Sequence, residues 1–146
     1  MDQNLHNLCL DPFVCNARFA VALDFPVHFT NDALHLTNRL LCDAIARREP
    51  GRRHRLCCII DAGVASAWPS LPARVAAYVD AHHTRLQLVA PPMVIPGGEA
   101  CKNDPPLLQE ILGTLQRCRI DRHALVLAVG GGAVLDLVGF AAAITH

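Results

Sequence analysis

At 146 residues, with 52% hydrophobic and 18% charged residues, the chain has the length and composition of about one globular domain and not of a disordered segment. Its 13 basic and 13 acidic residues cancel, so it carries no electrostatic footprint for nucleic acid. The seven cysteines are odd in number and scattered, with no C-x-x-C pair; this argues against a disulfide framework or a zinc finger and for reduced, buried thiols in a cytoplasmic protein.

The first residues, Met1-Asp2-Gln3-Asn4, show neither the basic start nor the clean apolar core of a secretory signal. Residues 1–17 read as an irregular leader and 18–146 as one α/β domain. From Arg18 to Thr30 the letters alternate and are rich in Phe, Val and Ala, with Pro26 interrupting, which predicts two short strands or a bent edge ribbon. Leu34, Leu40, Leu41, Ala44 and Ile45 then recur at helical spacing, predicting an amphipathic helix that ends near Arg48. The Arg-rich stretch Arg47 to Arg53, with Pro50-Gly51 in its middle, reads as a solvated loop and not as a phosphate cluster.

Arg55 to Ile60 is nearly all apolar, the mark of a strand buried on both faces. Pro72 suits the first turn of a helix that carries Val75, Ala76 and Val79 inward and fades at His82-His83. Leu86 to Val89 is the next strand, stopped by Pro91-Pro92. Asp104 before Pro105 is a helix start, because the carboxylate caps and proline lacks the orphan N–H. Leu107, Leu108, Ile111, Leu112 and Leu115 make that helix's apolar stripe, Leu125 to Val129 the last strand, and a helix from about Ala133 runs onward. Ala124 to Thr145 is apolar apart from Asp136 and long enough to span a bilayer. Three consecutive glycines, and the cost of placing the Asp136 carboxylate in hydrocarbon, speak instead for a strand plus a helix, and so for no membrane partner. Alternating strands and helices predict an open, mostly parallel sheet with helices on both faces. The chain reaches His146 in or just after an apolar helix without a C-cap glycine, which predicts a domain truncated before a further one.

Ligands of such sheets bind beyond the carboxyl ends of the strands, and four features fall there. Gly130-Gly131-Gly132 joins a strand to a helix, where missing β-carbons let a pyrophosphate reach the backbone and free N–H groups favour an anion. The letters do not satisfy G-x-G-x-x-G, since Leu135 stands at the last glycine's place and the turn follows the last strand, so a plain tight turn stays open. Asp136, a lone carboxylate in an apolar helix, needs a partner, either a neighbouring loop or a ligand. Glu99 and Lys102, three apart in the loop Pro96 to Asn103, suit ribose hydroxyls and phosphate or a simple exposed ion pair. Asp61-Ala62-Gly63 ends the buried strand, with a helix cap or turn as the alternative role.

Taken together, Gly97-Gly98-Glu99-x-x-Lys102-Asn103 and Gly130-Gly131-Gly132-x-x-x-Asp136-x-x-Gly139-Phe140-Ala141-Ala142 resemble the two N-terminal NAD-binding signatures of the dehydroquinate synthase family, part of the sugar phosphate cyclases. The resemblance runs from about Arg18 onward and implies a Rossmann-like N-terminal domain. It further implies that Asp61, Ala62 and Gly63 line the adenosine end of NAD, that Glu99 and Lys102 contact ribose and nicotinamide, that Gly131, Gly132 and Ala133 hold the pyrophosphate, and that Asp136 stands near the nicotinamide. The family oxidises a sugar-phosphate hydroxyl with bound NAD, eliminates phosphate, returns the hydride and closes a carbocycle. Its divalent metal, zinc or cobalt, and its catalytic residues would lie in a C-terminal domain outside this chain, so no metal site is assigned here and the chain alone is expected to be inactive. A homodimer is implied for the full-length protein.

The chain departs from the family pattern at Leu135, where glycine is usual, and at Asn103, where Ser or Thr is frequent. Both changes look more like cyclases acting on other sugar phosphates. Two rival readings differ in kind. An iron-dependent alcohol or glycerol dehydrogenase shares a related fold and a glycine-rich NAD turn, but the Glu99-x-x-Lys102 pair favours the cyclase. A non-catalytic, truncated nucleotide-binding remnant would fit the abrupt stop at His146.

Overall fold

The structure, a computed structural model, describes Ala20 and residues 24–145; the leader 1–17 and most of the stretch 18–23 lie outside the described residues. The strand marked by its unbroken apolar run is the centre of the sheet. It is β1 (His54–Asp61), and Leu56 through Ile60 are all buried. β4 (Leu125–Val129) pairs with it in parallel from Leu56↔Leu125 to Ile60↔Val129. β2 (Leu86–Leu88) pairs in parallel with His54–Leu56, and β3 (Met93–Ile95) with Ile59–Asp61. Leu56 and Ile59 therefore have a partner on each side, and β2 and β3 share the edge opposite β4.

Between Leu56 and Ile59 the central strand advances three residues, while its partners advance five, from Leu88 to Met93. The surplus falls at Pro91-Pro92, whose nitrogens cannot donate to a ladder. The strand does end before the prolines, as their chemistry predicts, but pairing resumes beyond them in a second short strand, Met93–Ile95, which the sequence does not announce and which satisfies β1's upper edge.

Alternation along β1 sends its side chains to two separate layers. Cys57 and Ile59 share one core with α4 (Pro105–Arg117) and α5 (Gly132–Ile144), through Leu107, Ile111, Leu115, Val134 and Val138. On the other face Leu56 packs with α1 (Leu40–Ala46) and α3 (Leu71–Ala81) through Cys42, Tyr78 and Val79, and Cys58 and Ile60 pack with Leu71 and Val75. The open parallel sheet with helices on both faces is thus the observed architecture, and the apolar segment 124–145 is β4 followed by α5. No helix among the described residues is long and apolar enough to cross a membrane.

The local signals operate as their chemistry requires. Asp104 accepts the Leu107 N–H at 3.0 Å and Pro105 opens α4; Pro72 sits in the first turn of α3. Several expectations need correcting. Residues 24–30 form no strand, since they find no backbone ladder among the described residues. Leu34 lies in a turn, and α1 spans only Leu40–Ala46. Ala76 is exposed, and Tyr78 takes the inward position instead. The short helix α2 (Ala62–Ala67) was not foreseen, having no buried stripe to advertise it.

Tyr78 explains its own burial. Its hydroxyl donates to the Asn38 carbonyl at 2.7 Å and accepts the Cys42 N–H at 3.1 Å, tying α3 to the start of α1. Tyr78→Phe leaves both groups unpaired and is expected to cost about 1–3 kcal/mol in chemical denaturation. Burial pushes the Cys57 thiol up to about 11 and the Cys58 thiol up to about 12. Iodoacetamide at pH 8 is therefore expected to spare both in the folded chain, read by mass spectrometry, and to label them once urea unfolds it.

Candidate functional site

Because β1, β3 and β4 are parallel, their carboxyl ends converge on one edge, bringing together Asp61, the loop after Ile95 and the turn after Val129. Asp61 ends β1 and caps α2, its Oδ1 accepting the Gly63 N–H at 2.7 Å. The carboxylate is wedged between the two neighbouring loops. A β-carbon on Gly97 would collide with both carboxylate oxygens, and one on Gly130 would come within 2.8 Å of the Asp61 Cβ and 3.2 Å of the Val134 side chain. These two glycines are spaces cut for Asp61, a role the sequence reading did not assign. A carboxylate at a strand end flanked by a glycine after each neighbouring strand was the available signal.

Gly131 and Gly132 differ from Gly130. A β-carbon on either would meet nothing within 4 Å, and Gly131 has ordinary negative φ, so neither packing nor backbone strain requires glycine there. They open the 13-residue helix α5, whose first intrahelical bond runs from the Leu135 N–H to the Gly131 carbonyl. No side chain caps this end. The N–H groups of Gly132, Ala133 and Val134 thus have no intrahelical acceptor at the positive end of the helix, although Val134 itself is buried. Gly131 and Gly132 are exposed and Ala133 is half-buried.

Glu99, Lys102 and Asp136 form a second group. The expected loop 96–103 contains a 3₁₀ turn, Glu99–Asn103, entered through Gly98 at φ +84, a conformation that favours glycine. Cys101 is buried in the core shared with α4 and α5, which leaves Glu99 and Lys102 on the solvent side of the turn. Lys102 Nζ lies 2.9 Å from Asp136 Oδ2 and 3.2 Å from Glu99 Oε2. The hydrogen bonds it donates to Asp136 first and Glu99 second push the Lys102 ammonium above its usual range, so it stays charged through neutrality. Asp136 is exposed, so burial does not demand a partner for it, but it has one in the neighbouring loop through Lys102, and the Glu99–Lys102 ion pair also exists. Ala62 lies half-buried in the first turn of α2.

The distinction among the glycines is measurable. Gly97→Ala is expected to lower stability by about 1–3 kcal/mol through overpacking against Asp61, whereas Gly131→Ala is expected to stay within about 0.5 kcal/mol of the parent. Paired denaturant titrations check both.

Residues 92–146 match the family model described as 3-dehydroquinate synthase N-terminal. The chain is 39% identical over 108 residues to a 3-dehydroquinate synthase of Rhodopseudomonas palustris, a match taking in 74% of this chain and 26% of that protein. It is 32% identical over 139 residues to that of Rhodospirillum rubrum, covering 92% of this chain and 32% of the relative. Among solved structures it resembles ValA, the 2-epi-5-epi-valiolone synthase of Streptomyces hygroscopicus subsp. jinggangensis with NAD+ and Zn2+ bound, at a TM-score of 0.56 and 29% identity over 86% of this chain and 32% of that one. The chain spans about a quarter to a third of the length of these relatives. Sequence and fold together place it with the N-terminal part of the 3-dehydroquinate synthase family of sugar phosphate cyclases.

Proposed function

We propose that this chain is the NAD-binding part of a 3-dehydroquinate synthase-like sugar phosphate cyclase, a carbon–oxygen lyase that eliminates phosphate and forms a carbocycle. The observation that carries the reading is the contrast within Gly130-Gly131-Gly132. Gly130 is closed by Asp61 and Val134, while Gly131 and Gly132 stand open at an uncapped helix start. A pyrophosphate suits that opening, since the exposed backbone of Gly131 and Gly132 can be approached closely and the helix start leaves N–H groups without intrahelical acceptors.

Charge supports the same division of labour. The side chains around the opening are three carboxylates, Asp61, Glu99 and Asp136, against one ammonium, Lys102. That set repels phosphate unless the backbone binds it, and it suits hydroxyl and amide donors. Asp61, with Ala62 and Gly63, would therefore take the adenosine ribose. Gly131, Gly132 and Ala133 would hold the pyrophosphate. Glu99, Lys102 and Asp136 would meet the ribose and nicotinamide, with Lys102 exchanging one carboxylate partner for the ligand. Bound NAD supplies the hydride acceptor and donor by which a sugar-phosphate hydroxyl can be oxidised and later restored. What these residues do is bind and orient.

The remainder is carried by the resemblance. The divalent metal, the catalytic residues and the contacts to the sugar phosphate are proposed to reside in the polypeptide that the longer relatives have in addition, and the full-length protein is proposed to be a homodimer. A reducing cytoplasm suits the free thiols of Cys42, Cys57, Cys58, Cys101 and Cys118. Each relative named above is a synthase, which favours the cyclase over a polyol dehydrogenase.

Calorimetric titration with NAD tests the assignment. Gly131→Val is expected to weaken binding at least tenfold with an unchanged melting curve, and Asp136→Asn to weaken it less, by removing one acceptor. Binding that survives Gly131→Val would overturn the pyrophosphate placement. A well-folded chain that binds no NAD would favour a non-catalytic remnant.

A further inference from the structure

The opposite end of the sheet, where β1 and β4 begin, carries a cavity of about 530 Å³ that the NAD reading does not use. Four separate segments line it: residues 24–28, the end of α1 with the turn to Glu49, His54 at the start of β1, and residues 122–125 leading into β4. Its lining includes the apolar residues Phe25, Pro26, Ile45 and Leu125, of which Phe25 and Pro26 are exposed. Its volume lies within the range of small-molecule sites, roughly 300–1,000 Å³.

Three arginines, Arg47, Arg48 and Arg122, line this cavity with two carboxylates, Asp24 and Glu49, and both carboxylates are already engaged. Arg47 donates to Asp24 Oδ2 at 2.7 Å and to the Asp24 carbonyl at 3.1 Å. Glu49 lies 3.4 Å from Arg52 and 3.9 Å from His123 Nδ1. Arg48 and Arg122 then have no carboxylate partner among the described residues. Arg122 is oriented by its Nε, which donates to His123 Nε2 at 3.2 Å. The Glu49 turn is anchored to β1 by His54, 3% exposed, whose Nε2 lies 3.1 Å from the Glu49 carbonyl. Tertiary structure thus adds Arg122 and His123 to an arginine run that looked merely solvated in the sequence.

We propose that this cavity binds a small phosphomonoester. Two uncompensated guanidinium groups match a dianion in charge, and their planar forks match phosphate oxygens in geometry. The apolar part of the lining suits a short carbon body. The site is separate from the NAD edge, at the other ends of the same strands, and does not depend on the cyclase reading.

The 146-residue protein is titrated calorimetrically with inorganic phosphate and with glycerol 3-phosphate in a phosphate-free buffer of low ionic strength. Saturable one-site binding is expected, tighter for glycerol 3-phosphate than for phosphate. The double variant Arg48→Ala/Arg122→Ala is expected to weaken it at least tenfold, since a hydrogen bond to a charged group contributes about 1.5–3 kcal/mol. Arg117→Ala removes the same charge at the end of α4 and is expected to change binding less than twofold. Gly131→Val is expected to leave it intact. No saturable binding by the parent chain would overturn the proposal, as would full binding by the double variant or equal losses in Arg117→Ala. Loss of phosphate binding in Gly131→Val would place the anion at α5 instead and overturn it too.

Discussion

A strand buried on both faces must satisfy its backbone through two neighbours and fill two cores with alternate side chains, and β1 meets both demands. Leu56, Cys58 and Ile60 serve the layer of α1 and α3, while Cys57 and Ile59 serve the layer of α4 and α5. Its pairing with β4 on one side and with β2 and β3 on the other makes every strand parallel. That common direction gathers three strand ends onto one edge. The candidate cofactor site is a consequence of this arrangement.

Asp61 is the last residue of that strand, and the site is built around its carboxylate. Gly97 and Gly130 leave the room it occupies, and Gly63 supplies the N–H it accepts. A turn written as three identical glycines therefore does two jobs. One glycine accommodates a neighbouring side chain, and the next two keep a helix start open. Lys102 joins the same edge to α5 through Asp136, so the 3₁₀ turn and the helix are bound both by Cys101 in the core and by an ion pair at the surface.

The two ends of the sheet differ in the sign of their spare charge. Among the described residues, Asp61, Glu99 and Asp136 stand with the single ammonium of Lys102 at the carboxyl ends of the strands. Guanidinium groups in excess of carboxylates gather at the amino ends. With a net formal charge of zero for the chain, this polarity comes from placement and not from composition.

By itself the sequence determined the parallel α/β class, the buried character of β1, the Asp104–Pro105 start of α4 and the apolar stripe that follows. Each is a short-range signal, an apolar run, a cap or a 3.6-residue period, readable without knowing what lies across the sheet. The residues brought to the strand-end edge were legible for the same reason: they end strands or open helices. Tertiary structure alone decided the rest. Pairing resumes beyond Pro91-Pro92 in a second short strand that satisfies β1's upper edge. Tyr78 turns inward to reach the Asn38 carbonyl and the Cys42 N–H, residues distant in sequence. Gly97, Gly130 and Gly131 look alike as letters and differ only in what a β-carbon would strike, which depends on contacts between segments that no local pattern encodes.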